Sequence, residues 1–118
     1  MYVDGFVVPV PKKNTAAYKK VARKMAAIMR SHGALECREC MADDVKPGKR
    51  TSFPQAVQLK KDEVVWFSYI VYKDRVSRDR AMAGAMKDKR MVALMDPKKF
   101  PFDGKRLIFG GFKVQVAR

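Results

Sequence analysis

Hydrophobic positions along this chain follow two different periods, one typical of β-strands and the other typical of an α-helix. Four segments have the alternation or the residue composition of strands. They are Val3–Val10, Leu35–Ala42, Val64–Tyr72 and Arg106–Val116. The segment Phe53–Leu59 is interpreted as a continuation of the second strand or as the start of another.

Helical periodicity is strongest between Thr15 and His32, where apolar side chains recur at spacings of three and four. Asn14 stands where an N-cap residue is expected, and Gly33 stands where a helix commonly ends. A second helix is predicted over Arg75–Met86, and a short helical turn over Arg90–Met95.

The resulting order of elements is β-α-β-β-α-β, in a single domain of residues 1–118. This order is typical of the α+β ferredoxin-like fold, a four-stranded antiparallel sheet with two helices on one face. A domain of this length buries roughly two-thirds of the surface of its unfolded chain. Its core therefore needs no disulfide framework.

Both faces of the predicted sheet are apolar. In the strand Val64–Tyr72, Trp66 and Ile70 point to one side, whereas Phe67 and Val71 point to the other. Two helices cover only one face, and the prediction leaves no segment of the chain for the second. A second copy of the sheet would cover it, because a two-fold interface is self-complementary. We therefore expect a homodimer that forms through the sheet face.

The formal net charge of +14 raises the expectation of a polyanionic partner. The basic side chains are spread along the chain, and no block of them marks a tail. The predicted first helix contains no acidic residue, and four basic residues on it are candidate nucleic-acid contacts: Lys19, Lys20, Arg23 and Lys24. We expect any such binding to be weak and independent of sequence. No apolar run is long enough to predict a membrane helix.

The chain has two cysteines, Cys37 and Cys40, in the motif ECREC. So few cysteines favour a reducing compartment, and we expect a cytoplasmic protein. Residues three apart on a strand point to opposite faces, and zinc would need two further ligands. The sequence therefore predicts two packing thiols, with no metal site and no cofactor.

Several motifs resemble those of the YbaA-like bacterial family, a domain of unknown function. They are MYVDGFVVPVPKKN at the start, HGALE, CMADDVKPGK and TSFPQAV in the middle, and PFDGKRLIFGGF near the end. The resemblance covers nearly the whole chain. It implies a dimeric α/β barrel, in which two ferredoxin-like subunits pack sheet to sheet. The wider superfamily includes cofactor-free monooxygenases, haem-degrading enzymes and binding or stress-response modules, and the resemblance assigns no catalytic residue.

Two titratable residues are candidate catalytic groups. Asp4 lies in the first strand, where a carboxylate is uncommon, and we expect a structural ion pair with Arg106 or Lys113 or a role as a catalytic acid. His32 is the chain's one histidine. At the end of the first helix it either complements the helix dipole or acts as a general base in a cavity.

Three residues of the third strand share one face and are candidate ligand contacts: Trp66, Ser68 and Tyr72. The alternative is that they pack in the core or at an interface. The sequence thus predicts a cytoplasmic homodimer that binds or transforms a small molecule between sheet and helices, and the family resemblance implies a cofactor-free monooxygenase as one version of it. It leaves open whether the protein is an enzyme. The alternatives are a basic RNA-binding protein and a ligand-free interaction or stress-response module.

Overall fold

The computed structural model of the protein describes all 118 residues. Four strands form one antiparallel sheet in the order β2-β3-β1-β4. The strands are β1 (Tyr2–Pro11), β2 (Glu36–Met41), β3 (Glu63–Tyr72) and β4 (Ile108–Lys113). The helices are α1 (Thr15–Ser31), α2 (Phe53–Ala56), α3 (Arg75–Lys87) and α4 (Lys89–Leu94). The predicted α+β fold is confirmed, with β4 shorter than the sequence indicated.

The ends of α1 are set by local chemistry. Gly33 follows the helix with φ of 111°, a left-handed conformation that glycine adopts without strain. Asn14 precedes the helix, but its side chain does not cap it. The Asn14 amide instead donates to the carbonyl of Pro101 at 2.9 Å, so the predicted cap is replaced by a tie to the loop before β4.

The segment Phe53–Leu59 is not a strand, which corrects the prediction. Residues Phe53–Ala56 form the short helix α2, because Pro54 lies in its first turn and Ser52 caps it. The Ser52 hydroxyl accepts from the amide of Gln55 at 3.3 Å. None of the helices combines the length and the apolar character that a membrane span requires.

The main core lies between one face of the sheet and the three helices α1, α3 and α4. One cluster joins Tyr2 and Tyr72 to Ala81 and Ala85 of α3. A second cluster packs Tyr18 of α1 against the sheet residues Val8, Val10 and Trp66. We call this side of the sheet the helix face.

The opposite side, the open face, carries the other set of strand side chains. Its residues in β1 and β4 are Val3, Gly5, Val7, Pro9, Ile108, Gly110 and Phe112, and those in β2 and β3 are Glu36, Arg38, Cys40, Val65, Phe67, Tyr69 and Val71. The segment around α2 folds over one end, where Val57 packs on Val7 and Val65. The expectation that no segment covers this face was therefore wrong in part. Phe67 stays 44% exposed although the ring of Phe53 in α2 packs edge-on against it, with 6.0 Å between the ring centroids, and Phe112 on the far strand β4 stays 64% exposed.

Candidate functional site

A groove of about 390 Å³ lies between α1 and strand β2 on the helix face. Its wall on α1 is formed by Lys19, Ala22, Arg23 and Ala26, and its wall on the sheet by Cys37, Glu39, Met41 and Trp66. This volume lies within the ~300–1,000 Å³ that is usual for small-molecule sites. The two basic residues come from the α1 wall, so one side of the groove is positively charged.

A hydrogen-bonded pair joins the two walls. The Tyr18 hydroxyl donates to Glu39 Oε1 at 2.7 Å, and Oε2 of Glu39 has no hydrogen-bond partner within the chain. Burial, followed by the charge of Glu39, raises the pKa of Tyr18 above its usual range, so the phenol stays protonated. Burial also raises the pKa of Glu39, although this residue lies on an exposed edge strand. Glu39 is thus a carboxylate with one oxygen free to accept a further hydrogen bond.

Trp66 and Ser68 lie next to this pair on β3. The rings of Trp66 and Tyr18 are 4.8 Å apart between centroids, and Trp66 is only 3% exposed. The indole Nε1 is buried without a hydrogen-bond partner. Ser68 is buried and stands opposite Glu39 in the strand register. Of the three candidate ligand contacts, Trp66 therefore lines the groove, and Ser68 is buried behind Glu39 without lining it.

The third candidate, Tyr72, belongs to a separate buried cluster around Asp4. Asp4 is fully buried, and its carboxylate accepts from Nε of Arg78 at 3.0 and 3.3 Å. The guanidinium of Arg78 also lies 5.0 Å from the centre of the Tyr2 ring. The Tyr72 hydroxyl is buried without a hydrogen bond, and burial, followed by the charge of Asp4, raises its pKa.

The predicted partner of Asp4 was therefore wrong. The sequence indicated Arg106 or Lys113, but the ion pair is made by Arg78 of α3. Arg106 instead forms a bidentate pair with Glu63 at the opposite end of β1. Gly111, which faces Asp4 from β4, makes room for Arg78, because a side chain there would overlap its guanidinium.

His32 lies apart from both clusters. Its Nε2 is 2.9 Å from the Asp88 carboxylate, and its ring packs on α3 at Gly84, where a Cβ would stand 2.6 Å from Nδ1. Asp88 follows Arg78 by ten positions, which corresponds to about 15 Å along a helix. The two catalytic candidates, Asp4 and His32, thus do not share a site in one subunit.

The cysteines lie on opposite faces of β2, as their spacing predicted. Cys37 pairs with Ile70 and faces α1, whereas Cys40 pairs with Phe67 on the open face. Both are free thiols. Burial raises the pKa of Cys37, so it is less easily ionised than an ordinary thiol.

The four basic candidates on α1, namely Lys19, Lys20, Arg23 and Lys24, are all exposed, and none forms an ion pair. The ion pairs of the chain use arginines and His32, and none uses a lysine. The charge on this helix surface is therefore not neutralised by the protein itself.

The hydrogen-bonded pair of Tyr18 and Glu39 was not predicted from the sequence. Tyr18 fits the apolar stripe of α1 and gives no sign of a hydroxyl partner. Glu39 had a usable signal, because it shares strand parity with Cys37 and Met41 and so had to point toward the helices.

Comparison with known sequences identifies the family of the chain, and comparison with solved structures supports the fold. The family model described as "Protein of unknown function (DUF1428)" matches residues 1–104. The chain belongs to the DUF1428 family. The DUF1428 relatives include the uncharacterized protein YbaA of Escherichia coli K12, which is 46% identical over 112 residues, covering 95% of this chain and 94% of YbaA. YbaA of Shigella flexneri matches with the same identity and coverage.

Solved structures share the fold of this DUF1428 chain at low sequence identity. An uncharacterized NIPSNAP domain protein from Burkholderia xenovorans has a TM-score of 0.58 at 12% identity, over 98% of this chain and 96% of that one. Protein Atu4242 from Agrobacterium tumefaciens has 0.57 at 15% identity, over 96% and 92%. A dimeric ferredoxin-like protein from an uncultured marine organism has 0.52 at 14% identity, over 99% and 96%.

Proposed function

We propose that the protein is a cytoplasmic homodimer in which each subunit binds a small molecule in the groove between α1 and β2. The observation that carries this proposal is the Tyr18–Glu39 pair, whose free carboxylate oxygen lies beside a buried tryptophan. An apolar wall with a few fixed polar groups is the usual composition of a ligand site. Two free thiols favour the reducing cytoplasm.

The groove favours a ligand with an apolar body and a hydrogen-bond donor at one end. The apolar body would pack on Trp66, Ala22 and Met41, and the donor would reach Oε2 of Glu39. A bound molecule could then lose a proton to Glu39, whose raised pKa makes it a stronger base than an exposed carboxylate. Glu39 would then act as a general base.

The homodimer has independent support. The open face keeps large apolar side chains exposed, and burial of apolar area stabilises association by about 25 cal/mol per Å² before association costs. A solved protein of the same fold is described as dimeric.

The test uses Trp66, the chain's one tryptophan, as a fluorescent reporter of the groove. Native mass spectrometry first looks for a small molecule that co-purifies with the protein. Phenol, cyclohexanol and benzoate are then titrated into the protein while the fluorescence of Trp66 is recorded. We expect phenol or cyclohexanol to give a saturable change, because their hydroxyl groups can donate to Glu39.

The matched pair of variants is Glu39→Gln and Glu36→Gln, which change the same strand on opposite faces. Loss of a hydrogen bond to a charged group costs about 1.5–3 kcal/mol, so Glu39→Gln should weaken binding roughly ten- to a hundredfold. Glu36→Gln should leave binding unchanged. No co-purified molecule and no saturable response to any probe would contradict the proposal and favour a ligand-free module.

A second candidate function is nucleic-acid binding by α1, favoured by the four unpaired basic residues on its surface. Contacts to phosphates alone make log affinity fall linearly with log salt, by about 0.7–0.9 per contact. We expect this slope to flatten by a few units when Lys19, Lys20, Arg23 and Lys24 are changed to glutamine. A preference of more than about a thousandfold for one RNA at physiological salt would instead show a specific site.

A further inference from the structure

The open face has a second, apolar groove at one corner. It has a volume of about 260 Å³ and is lined by side chains of β2, β3 and the segment before and within α2, among them Cys40, Val45, Phe53, Val65 and Phe67. Seven of its eight lining residues are hydrophobic. Contact with water is unfavourable for such a surface, and an apolar side chain that fills the groove would displace the water.

The same face has an exposed aromatic ring at the opposite corner. Phe112 of β4 is 64% exposed, and its ring lies across two glycines of the sheet. A Cβ added at Gly5 or Gly110 would stand 3.7 or 3.6 Å from the Phe112 ring. The ring therefore rests on the sheet and projects above the two glycines, on an edge strand.

The strand register places the two features on a diagonal. Cys40 pairs with Phe67, whereas Phe112 pairs with Val3 and through it with Val71, four residues farther along β3. Four residues along a strand and three strand spacings across the sheet each amount to about 14 Å. The groove and the ring are thus roughly 20 Å apart within one chain.

This placement is self-complementary under two-fold symmetry. An axis that lies between two facing sheets, perpendicular to the diagonal, exchanges the two corners. Each Phe112 then stands over the groove of the other copy, and the contact occurs twice, as an isologous interface requires.

Charge favours a second copy over a polyanion as the occupant of this face. Its strand carboxylates are neutralised within the chain, since Glu36 pairs with Arg38 at 2.8 Å and Glu63 with Arg106. The unpaired lysines of α1 lie behind the other side of the sheet. The one charged residue in the groove lining, Asp43, is acidic, so this largely aromatic surface fits an apolar partner better than a phosphate backbone.

We infer that Phe112 of each subunit inserts into the partner's groove beside Cys40 and locks the register of the homodimer. This inference rests on the proposed homodimer and adds its geometry. The groove of the open face is then an interface pocket, distinct from the ligand groove between α1 and β2.

The test uses a short bis-maleimide to cross-link position 112 of one subunit to Cys40 of its partner. Cys37→Ala leaves Cys40 as the one thiol, and Phe112→Cys adds a second. The matched control is Phe109→Cys in the same background, which changes an exposed phenylalanine on the helix face of β4. Cross-linking is done at protein concentrations where light scattering shows the dimer, and the products are separated on a denaturing gel.

We expect a covalent dimer with Phe112→Cys, and none with Phe109→Cys or with Cys40 alone, because the Cys40 thiols of the two copies lie at different corners. As a second measurement, Phe112→Ala should raise the dimer dissociation constant roughly tenfold or more, as for an aromatic side chain that fills a pocket of its partner. A protein that light scattering shows to be a dimer but that gives no cross-link with Phe112→Cys overturns the inference, whereas the proposed homodimer still holds. A monomer, including one that binds single-stranded RNA through this face, overturns both.

Discussion

Replacing Gly111 by alanine should weaken the buried ion pair between Asp4 and Arg78. A Cβ at this position would overlap the guanidinium of Arg78 and the hydroxyl of Tyr2. Both side chains must therefore shift, Tyr2 within the core, where it is 7% exposed, and Arg78 on the outer side of the pair. Asp4 would then be a buried carboxylate whose hydrogen bonds to its charged partner are weakened.

The magnitude follows from two opposing terms. A hydrogen bond to a charged group contributes about 1.5–3 kcal/mol, and removing one partner of a buried ion pair outright costs about 3–5 kcal/mol. The shifted Arg78 stays close to Asp4, so the smaller figure applies. Alanine in place of glycine in a strand offsets about 0.5–1 kcal/mol of this. We therefore expect a net loss of about 1–2 kcal/mol.

The neighbouring glycine provides the control. A Cβ at Gly110 meets only the Phe112 ring, at 3.6 Å, which is ordinary van der Waals contact. Gly110→Ala should be neutral or slightly stabilising, so the two variants should differ by about 1–3 kcal/mol. At about 4 °C per kcal/mol, their melting temperatures should differ by about 4–12 °C. Thermal and urea unfolding at equal protein concentration measure this difference, and equal stability of the two variants would refute the reasoning.

Two further predictions concern thiols and pH. Replacing Cys37 and Cys40 by alanine should leave fold and dimer intact at a cost of about 1 kcal/mol, and stoichiometric zinc or iron lost in the variant would contradict this. Hydrogen bonds from Arg106 hold the pKa of Glu63 below its ordinary value of 4.5. The ionised carboxylate therefore stabilises the folded state fully above pH 4.5. This stabilisation is lost as the pH falls through the lower pKa of the folded state. Between pH 7 and pH 3, the free energy of unfolding measured in urea should fall less for Glu63→Gln than for Glu36→Gln. Equal pH dependence in the two variants would contradict a stabilising role of the Glu63–Arg106 pair.

Much of the fold could be predicted because it depends on periodicity. The apolar stripe of α1 and the alternation in β3 each have one geometry that buries them. The opposite directions of Cys37 and Cys40 followed from strand parity alone. The segment Phe53–Leu59 misled because its apolar residues suit a strand, whereas the position of Pro54 and the Ser52 cap decide for a helix.

The site was harder to predict because its contacts join distant parts of the chain. Asp4 could be recognised as a carboxylate that needs a partner, but the crossing of α3 over the sheet determines that Arg78 reaches it. Glu39 resembled an ordinary acidic residue on an edge strand. Only the packing of α1 shows that its carboxyl group is met by Tyr18 and partly removed from water.

The mass of the protein in solution tests the homodimer most directly, and the interface pocket depends on it. Sedimentation equilibrium at micromolar concentration should give twice the 13.5 kDa chain mass, about 27 kDa. Phe112→Ala should move this equilibrium toward the monomer, while Phe109→Ala should not. A well-folded species of 13.5 kDa across the concentration range would contradict both the dimer and the burial of the open face.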